Sequence, residues 1–300
     1  MAPWERLNPH LLRHFLAVSR TGSLTAAAQQ LHCVPSNVSA RLRQLEEQLD
    51  VELFQRQAQR LHLTEAGKRL LPHAENLEQV CRQAWASVQS DLWAGDVCLG
   101  SMETTAAVRL PEVLAAFHQE APRVNLTLIT GTSADLIEEV LAGRMNAALI
   151  GGPYQHPRLI SELLWPEELV LVLPVGLSPA LLGQVPVTLL GFPNGCHYRA
   201  RLERWCEQQA LHVAARQSYG SIDAILAGIA GGMGIGLLPR SLLQAHPRAR
   251  LVAWHAIDPV LADAPTMLVR CRDVAVPPAL QRLLEVLCRA TRADDPLQIA

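Results

Sequence analysis

The chain has 300 residues, of which 49% are hydrophobic, and its 26 Lys and Arg nearly balance its 28 Asp and Glu. This length suits about two domains of ~100 to 200 residues each. The longest apolar stretch, AILAGIAGGMGIGLLP, has about 16 residues, fewer than the ~18 to 20 that span a bilayer. The opening MAPWERLNPH has no secretion-signal pattern, so we expect a cytoplasmic protein with no membrane contact.

Charge is unevenly distributed along the chain. Residues 1 to 70 carry 9 Lys or Arg and 6 Asp or Glu, whereas the remainder carries 17 and 22. A basic amino-terminal part on an acidic remainder indicates that only the amino-terminal part meets a polyanion.

The amino-terminal part predicts helices. Asn8 can cap a first helix that has Pro9 in its first turn, and Ser23 can cap a second helix. After a short HCV turn, Pro35 can start a third helix, in which apolar residues recur at i, i+4, i+7 and i+11. These residues are Val38, Leu42, Leu45 and Leu49. The pattern is that of a helix, a tight turn and a second helix.

Short polar side chains fill the outer face of the third predicted helix. A helix whose start lies in a DNA major groove needs short hydrogen-bonding groups at its tip, and Arg further along to reach guanine or phosphate. The alternative is an ordinary solvated face. We predict that this helix and the residues around it bind DNA, with the contacts made by Ser23, Thr25, Pro35, Ser36, Asn37, Ser39, Arg41, Arg43, Arg56 and Arg60.

The next stretch, LFQRQAQRLHLTEAG, predicts a wing. Two short apolar runs flank a polar turn that holds Arg56 and Arg60, typical of a hairpin that touches the DNA backbone or a minor groove. Among the predicted contacts, we assign bases to Ser36, Asn37, Ser39 and Arg41, and phosphates to Arg43, Arg56 and Arg60.

A long helix is predicted after Thr64, which can cap it. Its apolar residues step by 4, 3, 4, 3 and 4, which is a heptad pattern typical of a helix that pairs with a second copy. The predicted dimer contacts are Leu70, Ala74, Leu77, Cys81, Ala84 and Val88. A dimer would place two copies of the DNA-binding part on two half-sites.

The remainder of the chain predicts an α/β fold. Apolar runs such as VNLTLITG, LVLVLP and TMLVRC alternate with helical patterns, which indicates crossover-connected strands, largely parallel. Ligands of such sheets bind beyond the strand carboxyl ends, near helix N-termini. Each loop residue there could instead be an ordinary cap or turn residue. The candidates are Ser101, Glu103, Thr104, Thr132, Ser133, Gly151, Gly152, Asn194, Cys196, His197, Arg199, Tyr219 and Ser221.

The stretch GSLTAAAQQLHCVPSNVSARLRQLEEQLDVELFQRQAQRLHLTEAGKRLL resembles the DNA-binding part of LysR-type transcriptional regulators. The resemblance extends over essentially the whole chain. It implies a winged helix-turn-helix over residues 1–65, a linker dimerisation helix over 66–93, and a periplasmic-binding-protein-like effector domain over 94–300. The effector domain would have one subdomain over 97–165 and 268–300 and another over 166–267.

The same resemblance implies partners. They are operator DNA, a small-molecule effector, and a second copy in a homodimer or homotetramer, with RNA polymerase as a further partner. Within the family the chain is most similar to the subgroup that regulates putrescine utilisation, with which it shares VPSN, RLRQLE, TAAVR, NAA and RLE.W in order.

Four residues, at three places in the chain, depart from the usual family pattern. Val34 and Pro35 replace the usual Thr-Gln, so proline's preset φ must help to start the helix without a side-chain cap. Ala40 replaces the usual Arg, and the arginine moves to Arg41. Asn146 replaces the usual Asp, and we expect it to serve a turn or a strand edge.

The sequence gives little support to an enzyme. GGMGIG lacks the acidic residue that a dinucleotide fingerprint requires, and we expect its glycines to allow close packing of a strand. Lys68 is the only lysine and no G-x-x-x-x-G-K motif exists, while the 11 His lack metal-ligand spacing. We expect no metal, no cofactor and no catalysis, and we keep a solute-binding protein and an α/β enzyme as the alternatives to a regulator.

The seven cysteines predict reduced thiols, because their number is odd and no C-x-x-C is present. The family includes a redox sensor with paired thiols, and Cys196 and Cys206 stand ten positions apart around a predicted helix start. Ten residues of continuous helix would separate them by ~15 Å, which is too far for a disulfide bond.

The effector is expected to be compact and to carry both charges. Helix N-termini and Arg199 favour a carboxylate, whereas Glu103 attracts an ammonium group unless it caps its own helix. The chain has only four Phe, three Tyr and six Trp with which to line a pocket. The similarity to the putrescine subgroup likewise indicates a polyamine, a γ-amino acid from its breakdown, or a related amino acid.

Overall fold

A computed structural model of the chain describes residues 7–57, 60–87 and 94–293. The chain forms two compact units. We call residues 7–57 and 60–87 the head, and residues 94–141 and 145–293 the body. In these described ranges, no helix combines the length and the apolar character needed to cross a membrane.

The head contains four helices and a two-stranded hairpin in its described residues. Side chains close the starts of the first two helices: Asn8 accepts a hydrogen bond from the His10 N–H at 3.0 Å, and Ser23 accepts one from the Ala26 N–H at 3.4 Å. Both predicted caps are therefore confirmed. The elements are α1 (Pro9–Thr21), α2 (Leu24–Gln30), α3 (Pro35–Leu49), β1 (Phe54–Gln57), β2 (Arg60–Leu63) and α4 (Glu65–Ser87).

The head's core lies between α1, α2 and α3. Val38, Leu42 and Leu45 of α3 are buried there, as the helical spacing predicts. Phe15 of α1 is fully buried, and its ring centroid lies 5.4 Å from that of Phe54. Since Phe54 begins the hairpin, the core joins the wing to the helices.

The wing is confirmed as an antiparallel hairpin in which β1 pairs with β2. The Glu46 carboxylate of α3 accepts the Leu53 N–H at 2.8 Å and the Phe54 N–H at 3.3 Å. One carboxylate near the end of α3 thus fixes where the wing begins.

The long helix α4 begins as predicted, because the Thr64 hydroxyl accepts the Gly67 N–H at 3.1 Å. The first half of the predicted dimer seam packs on the head's own core, with Ala74 buried and Leu70 and Leu77 partly buried. The second half differs: Cys81 and Ala84 are exposed, and Val88 lies outside the described residues.

The body is built around two sheets. The strands are β3 (Ala94–Ser101), β4 (Arg123–Thr130), β5 (Ala147–Gly151), β6 (Leu159–Trp165), β7 (Leu169–Pro174), β8 (Val187–Gly191), β9 (Val213–Ser218), β10 (Gly236–Pro239), β11 (Val252–Ala256) and β12 (Thr266–Cys271). The first sheet has strand order β4-β3-β5-β12-β6. In the second, β10-β7-β11 and β8-β9 are joined by a bridge between Leu189 and Ile235.

Helices cover these sheets. They are α5 (Glu103–Val108), α6 (Leu110–Glu120), α7 (Ser133–Leu141), α8 (His197–Gln208), α9 (Ile222–Ala230), α10 (Arg240–Ala245), α11 (Pro259–Ala262) and α12 (Pro278–Ala293). The α/β class is confirmed. The prediction of largely parallel strands is wrong: β3 is parallel to β4 and β5, and β8 to β9, but β7 and β12 are antiparallel to the partners with which they pair.

The antiparallel strands follow from how the chain changes sheets. It passes from β6 in the first sheet to β7 in the second, and returns from β11 to β12. The strand after each passage runs against its neighbours, a reversal that apolar runs alone do not reveal.

Two smaller expectations are confirmed in the body. Asn146 serves a strand edge, because its side-chain oxygen accepts the Cys98 N–H at 2.7 Å. In GGMGIG, a Cβ on Gly234 would collide with the backbone carbonyl of Thr188. Gly234 and Gly236 therefore serve close strand packing, whereas Gly232 has φ +77° and open space around it.

A substitution at Gly67 tests the close contact between α4 and the backbone that precedes the wing. A Cβ at this position would collide with the Leu53 carbonyl, so we expect Gly67→Ala to destabilise the head by ~1 to 3 kcal/mol. The neighbouring change Lys68→Ala removes only an exposed ion pair with Glu65 and should cost less than ~0.5 kcal/mol. Urea unfolding of the two variants measures the difference, and equal stability would show that α4 does not approach the wing this closely.

Candidate functional site

The outer face of α3 presents the side chains that the sequence assigns to base contact. Ser36, Asn37 and Arg41 are exposed, and Ser39 is half-buried. Arg41 donates a 3.1 Å hydrogen bond to Gln44 on the same helix. Short donors and acceptors therefore lie near the helix start, and a guanidinium lies one turn further on.

The start of α3 is made by backbone alone. Val34 occupies the cap position and gives no side-chain hydrogen bond, and Pro35 is the first helical residue. The Val34 carbonyl accepts the Asn37 N–H at 3.0 Å. The expected loss of a side-chain cap at this helix is confirmed.

The other predicted DNA contacts surround this helix. Thr25 on α2 and Arg43 on α3 are exposed, while Ser23 serves as the cap of α2. Arg56 and Arg60 stand in the two strands of the wing, paired with Leu61 and Gln57, and their side chains lie outside what the structure describes.

The body contains a cavity of about 230 Å³ between its two sheets. The walls come from loops after β3, β4 and β8 and from the starts of α5, α7 and α8. The lining residues are Met102, Glu103, Thr104, Thr130, Gly131, Thr132, Ser133, Asp135, Phe192, Pro193, Cys196, Tyr198 and Gly220.

The cavity includes five predicted candidates and leaves out eight. Those that line it are Glu103, Thr104, Thr132, Ser133 and Cys196. Those outside its lining are Ser101, Gly151, Gly152, Asn194, His197, Arg199, Tyr219 and Ser221. Polar loop residues are the signal that a sequence offers for such a site, and apolar wall residues such as Phe192 carry no such signal. Asp135, two positions after Ser133 at a helix start, does carry it and was missed.

The prediction that Arg199 attracts an effector carboxylate in this cavity is wrong, because Arg199 does not line the cavity. Its guanidinium donates to Ser218 at 2.6 Å, to the Phe192 carbonyl at 3.4 Å and to Glu203 at 3.3 Å. It is thereby committed to α8 and β9. The described lining contains no Lys, Arg or His, and its ionisable carboxyl groups are those of Glu103 and Asp135.

Several of the excluded candidates have structural partners instead. The Ser101 hydroxyl donates to the Met102 carbonyl at 2.9 Å. The His197 ring accepts the Arg201 Nε–H at 2.9 Å, and burial, together with Arg201, lowers the pKa of this imidazole. The Tyr219 hydroxyl donates to Gln217 at 2.6 Å.

Glu103 joins the two sides of the cavity. It begins α5, but its carboxylate accepts the Ile222 N–H at 3.0 Å. Ile222 is the first residue of α9, whose own cap residue Ser221 supplies no side-chain bond. Glu103 therefore caps α9 rather than its own helix. Burial raises the pKa of the Glu103 carboxyl, the Ile222 N–H opposes that change, and Asp223 adds to it.

The start of α7 is also bonded across the cavity. Thr132 accepts the Asp135 N–H at 3.3 Å and donates to the Asp135 carboxylate at 2.7 Å. The Ala134 N–H donates to the Gly195 carbonyl at 3.4 Å. Gly195 has φ +90°, and a Cβ there would meet Thr132. Groups of the chain itself therefore occupy N–H donors of two helix starts.

Two buried hydroxyls in the cavity wall, those of Thr104 and Tyr198, are neighbours of each other. Each residue is 3% exposed, and within the described residues neither hydroxyl forms a hydrogen bond of good geometry. Burial raises the pKa of Tyr198, with the Thr104 hydroxyl opposing that change, so the phenol stays protonated. Buried hydroxyls without partners are costly, and a polar ligand could satisfy both.

Burial disfavours the thiolate form of Cys196 and Cys206. Cys196 occupies the N-cap position of α8 without a side-chain cap bond, and Cys206 lies within the helix. Burial raises the pKa of the Cys196 thiol despite the N–H groups of Arg199 and Tyr198, and burial raises that of Cys206 to about 11. Because the thiolate is the reactive form, both side chains are poorly reactive.

Taken together, a winged helix-turn-helix and an α/β unit with an internal cavity define a ligand-responsive DNA-binding regulator. The family model described as bacterial regulatory helix-turn-helix protein, lysR family, matches residues 9–68. The model described as LysR substrate binding domain matches residues 90–292. The chain belongs to the LysR family of transcriptional regulators, which is a family of DNA-binding proteins and not of enzymes.

Relatives agree with this assignment, and a solved structure agrees with the fold. The chain is 36% identical over 282 residues to the transcriptional regulator GltR of Bacillus subtilis, covering 93% of this chain and 95% of that protein. It is 33% identical over 281 residues to the regulator SoxR of an Arthrobacter species, covering 93% and 96%. The fold resembles that of full-length CbnR complexed with its target DNA, with a TM-score of 0.67 at 23% identity over 94% and 99% of the chains.

The unpaired hydroxyls predict an unusual response to mutation. Thr104→Val removes a hydroxyl that forms no hydrogen bond of good geometry within the described residues, so we expect the free energy of unfolding to change by less than ~0.5 kcal/mol or to rise. Ser133→Ala removes the acceptor of the buried Gly151 N–H and should cost ~1 to 3 kcal/mol. Urea unfolding measures both values. A cost for Thr104→Val equal to that for Ser133→Ala would mean that Thr104 is bonded in the folded chain.

Proposed function

We propose that this regulator reads operator DNA through α3 and the wing, and that a small amine-bearing effector in the body cavity controls it. The chain would act in the cytoplasm as a homodimer or homotetramer, with RNA polymerase as a further partner. The single observation that supports the effector class is the acidic lining of the cavity, where Glu103 is part-buried and no described lining residue is basic.

The DNA-reading role is supported by the face of α3. Asn37 and Arg41 are exposed and lie four residues apart, so they project from one face of the helix. Asn can bond adenine bidentately and Arg can bond guanine. Arg43 is exposed too, and we assign it to phosphate.

The assembly proposal changes in one respect from the sequence expectation. Leu70, Ala74 and Leu77 already pack within the head, so the pairing surface is best sought further along α4. Val80 is 46% exposed and Cys81 is also exposed, which leaves apolar side chains on the second half of the helix for a second copy to cover.

The effector proposal follows from charge and size. An ammonium group beside Glu103 would offset the burial that raises the pKa of this carboxyl. A hydrogen-bonding group at the other end would satisfy Thr104 and Tyr198. A cavity of about 230 Å³ suits a compact molecule. We therefore propose a polyamine, a γ-amino acid from its breakdown, or a related amino acid.

The resemblance to the putrescine subgroup is supported only by the shared sequence stretches. The relatives GltR and SoxR give it no further support. The effector proposal therefore depends on the chemistry of the cavity.

The DNA-reading assignment predicts two kinds of variant. Asn37→Ala and Ser39→Ala should each weaken binding by ~1 to 3 kcal/mol of free energy on a duplex that the wild-type chain selects from a random library, and each should relax the sequence preference. Arg43→Ala should weaken all duplexes similarly and reduce the salt slope by about 1. Fluorescence anisotropy over a range of salt concentrations measures both effects.

The matched control is Arg289→Ala in the body, which removes an exposed arginine paired with Glu120 and should leave the salt slope unchanged. Wild-type affinity in both Asn37→Ala and Ser39→Ala would remove α3 from the reading role.

The effector class is tested by calorimetric titration of the full chain. The probes are putrescine, 4-aminobutyrate, glutamate and benzoate. We expect an amine-bearing probe to bind. Glu103→Gln should lower its affinity at least about ten-fold, because the amide still accepts the Ile222 N–H but no longer carries the negative charge. Glu138→Gln makes the same charge change at an exposed residue of α7 and should have no effect. Binding of benzoate alone, or amine binding indifferent to Glu103→Gln, would exclude the proposal.

A further inference from the structure

An apolar side chain stands exposed at the start of α3. Val34 is 62% exposed and lies outside the apolar core of the head. Large apolar side chains at the surface are ordinary when scattered. This one occupies the cap position of the helix that we assign to base reading, where Ser, Thr, Asp or Asn would have supplied a hydrogen bond.

Val34 stands directly before the helix that carries the proposed base readers. Its own backbone is extended, and its carbonyl accepts the Asn37 N–H at 3.0 Å, so the two residues are neighbours at the helix start. Both are exposed. The amino-terminal residues of a helix in the major groove are those that contact base edges. Val34 therefore lies at the end of α3 that we assign to base contact.

The side chain is also held in place. Pro35, the first helical residue, fixes the backbone that follows, and a β-branched side chain has few rotamers. Little conformational freedom is lost when such a residue meets a surface. Val34 is thus preorganised for contact.

The chemistry of the side chain selects its partner. Valine carries two methyl groups and no donor or acceptor, so it would leave the polar edge of guanine, cytosine or adenine without a hydrogen bond. Thymine alone presents a methyl group in the major groove. We propose that Val34 specifies a thymine by packing against its C5 methyl group; this inference depends on the proposed role of α3.

The test combines a change in the base with a change in the residue. A duplex is first selected from a random library by the wild-type chain, and each thymine is then replaced singly by uracil, which removes only the methyl group. At one thymine in each half-site we expect wild-type binding to weaken about four-fold, the equivalent of one buried methyl group.

The variants are Val34→Ser and Val34→Asn, which remove both methyl groups and place a polar group at the same position. Both should fold, because Val34 is exposed and outside the core, and circular dichroism melting verifies this. With either variant, the same uracil replacement should change affinity by less than about 1.5-fold.

The outcomes separate the two proposals. If no thymine is sensitive, or if the variants keep the wild-type sensitivity, Val34 does not read the methyl group. If Asn37→Ala and Ser39→Ala bind the same duplex like the wild-type chain, α3 is not the reader and the proposed function itself fails. Loss of binding in those two, with no coupling between Val34 and any thymine, overturns the Val34 inference alone.

Discussion

The hydrogen bond from the Ile222 N–H to the Glu103 carboxylate is the contact on which the cavity depends. The first N–H groups of a helix have no partner within the helix, and Ser221 does not supply one for α9. Glu103 supplies it from α5, so a helix of the second sheet is completed by a residue next to the first. A side-chain cap is worth about 0.5 to 2 kcal/mol, enough to bias the two sides toward this arrangement.

Other helices of the head and of the body also have their first N–H groups bonded by side chains or carbonyls of nearby residues. In the body, Thr132 and the Gly195 carbonyl accept N–H groups at the start of α7. In the head, Asn8 and Thr64 close the starts of α1 and α4. Within the head, α3 is the exception, since Pro35 starts it without a side-chain cap and Val34 is exposed. Helix starts thus provide both the stability of these units and the proposed contacts with DNA and effector.

What the sequence reveals depends on how far apart the partners are. The caps at Ser23 and Thr64 act within three residues, so local pattern predicts them, as it predicts the winged helix-turn-helix. The bond from Ile222 to Glu103 joins residues 119 apart, and no local rule finds it. Strand direction could not be predicted for the same reason, because it depends on where the chain passes from one sheet to the other.

Arg199 shows an intermediate case. One of its partners, Glu203, is four residues along the same helix, a pairing that helical spacing alone indicates. The other side-chain partner, Ser218, lies on β9 and required the fold. The pairing with Glu203 alone indicates that Arg199 does not bind the carboxylate of an effector. Without Arg199, the acidic residue Glu103 is the remaining charged candidate, and the sequence then favours an amine effector.

Hydrogen exchange at the Ile222 amide tests the contact across the cavity most directly. An uncapped first N–H of a helix exchanges rapidly, so protection of this amide reports the bond to Glu103. We expect slow exchange in the wild-type chain and in Glu103→Gln, whose amide oxygen still accepts, and rapid exchange in Glu103→Ala. Rapid exchange in the wild-type chain, or protection that survives Glu103→Ala, would contradict a cavity held together by this carboxylate.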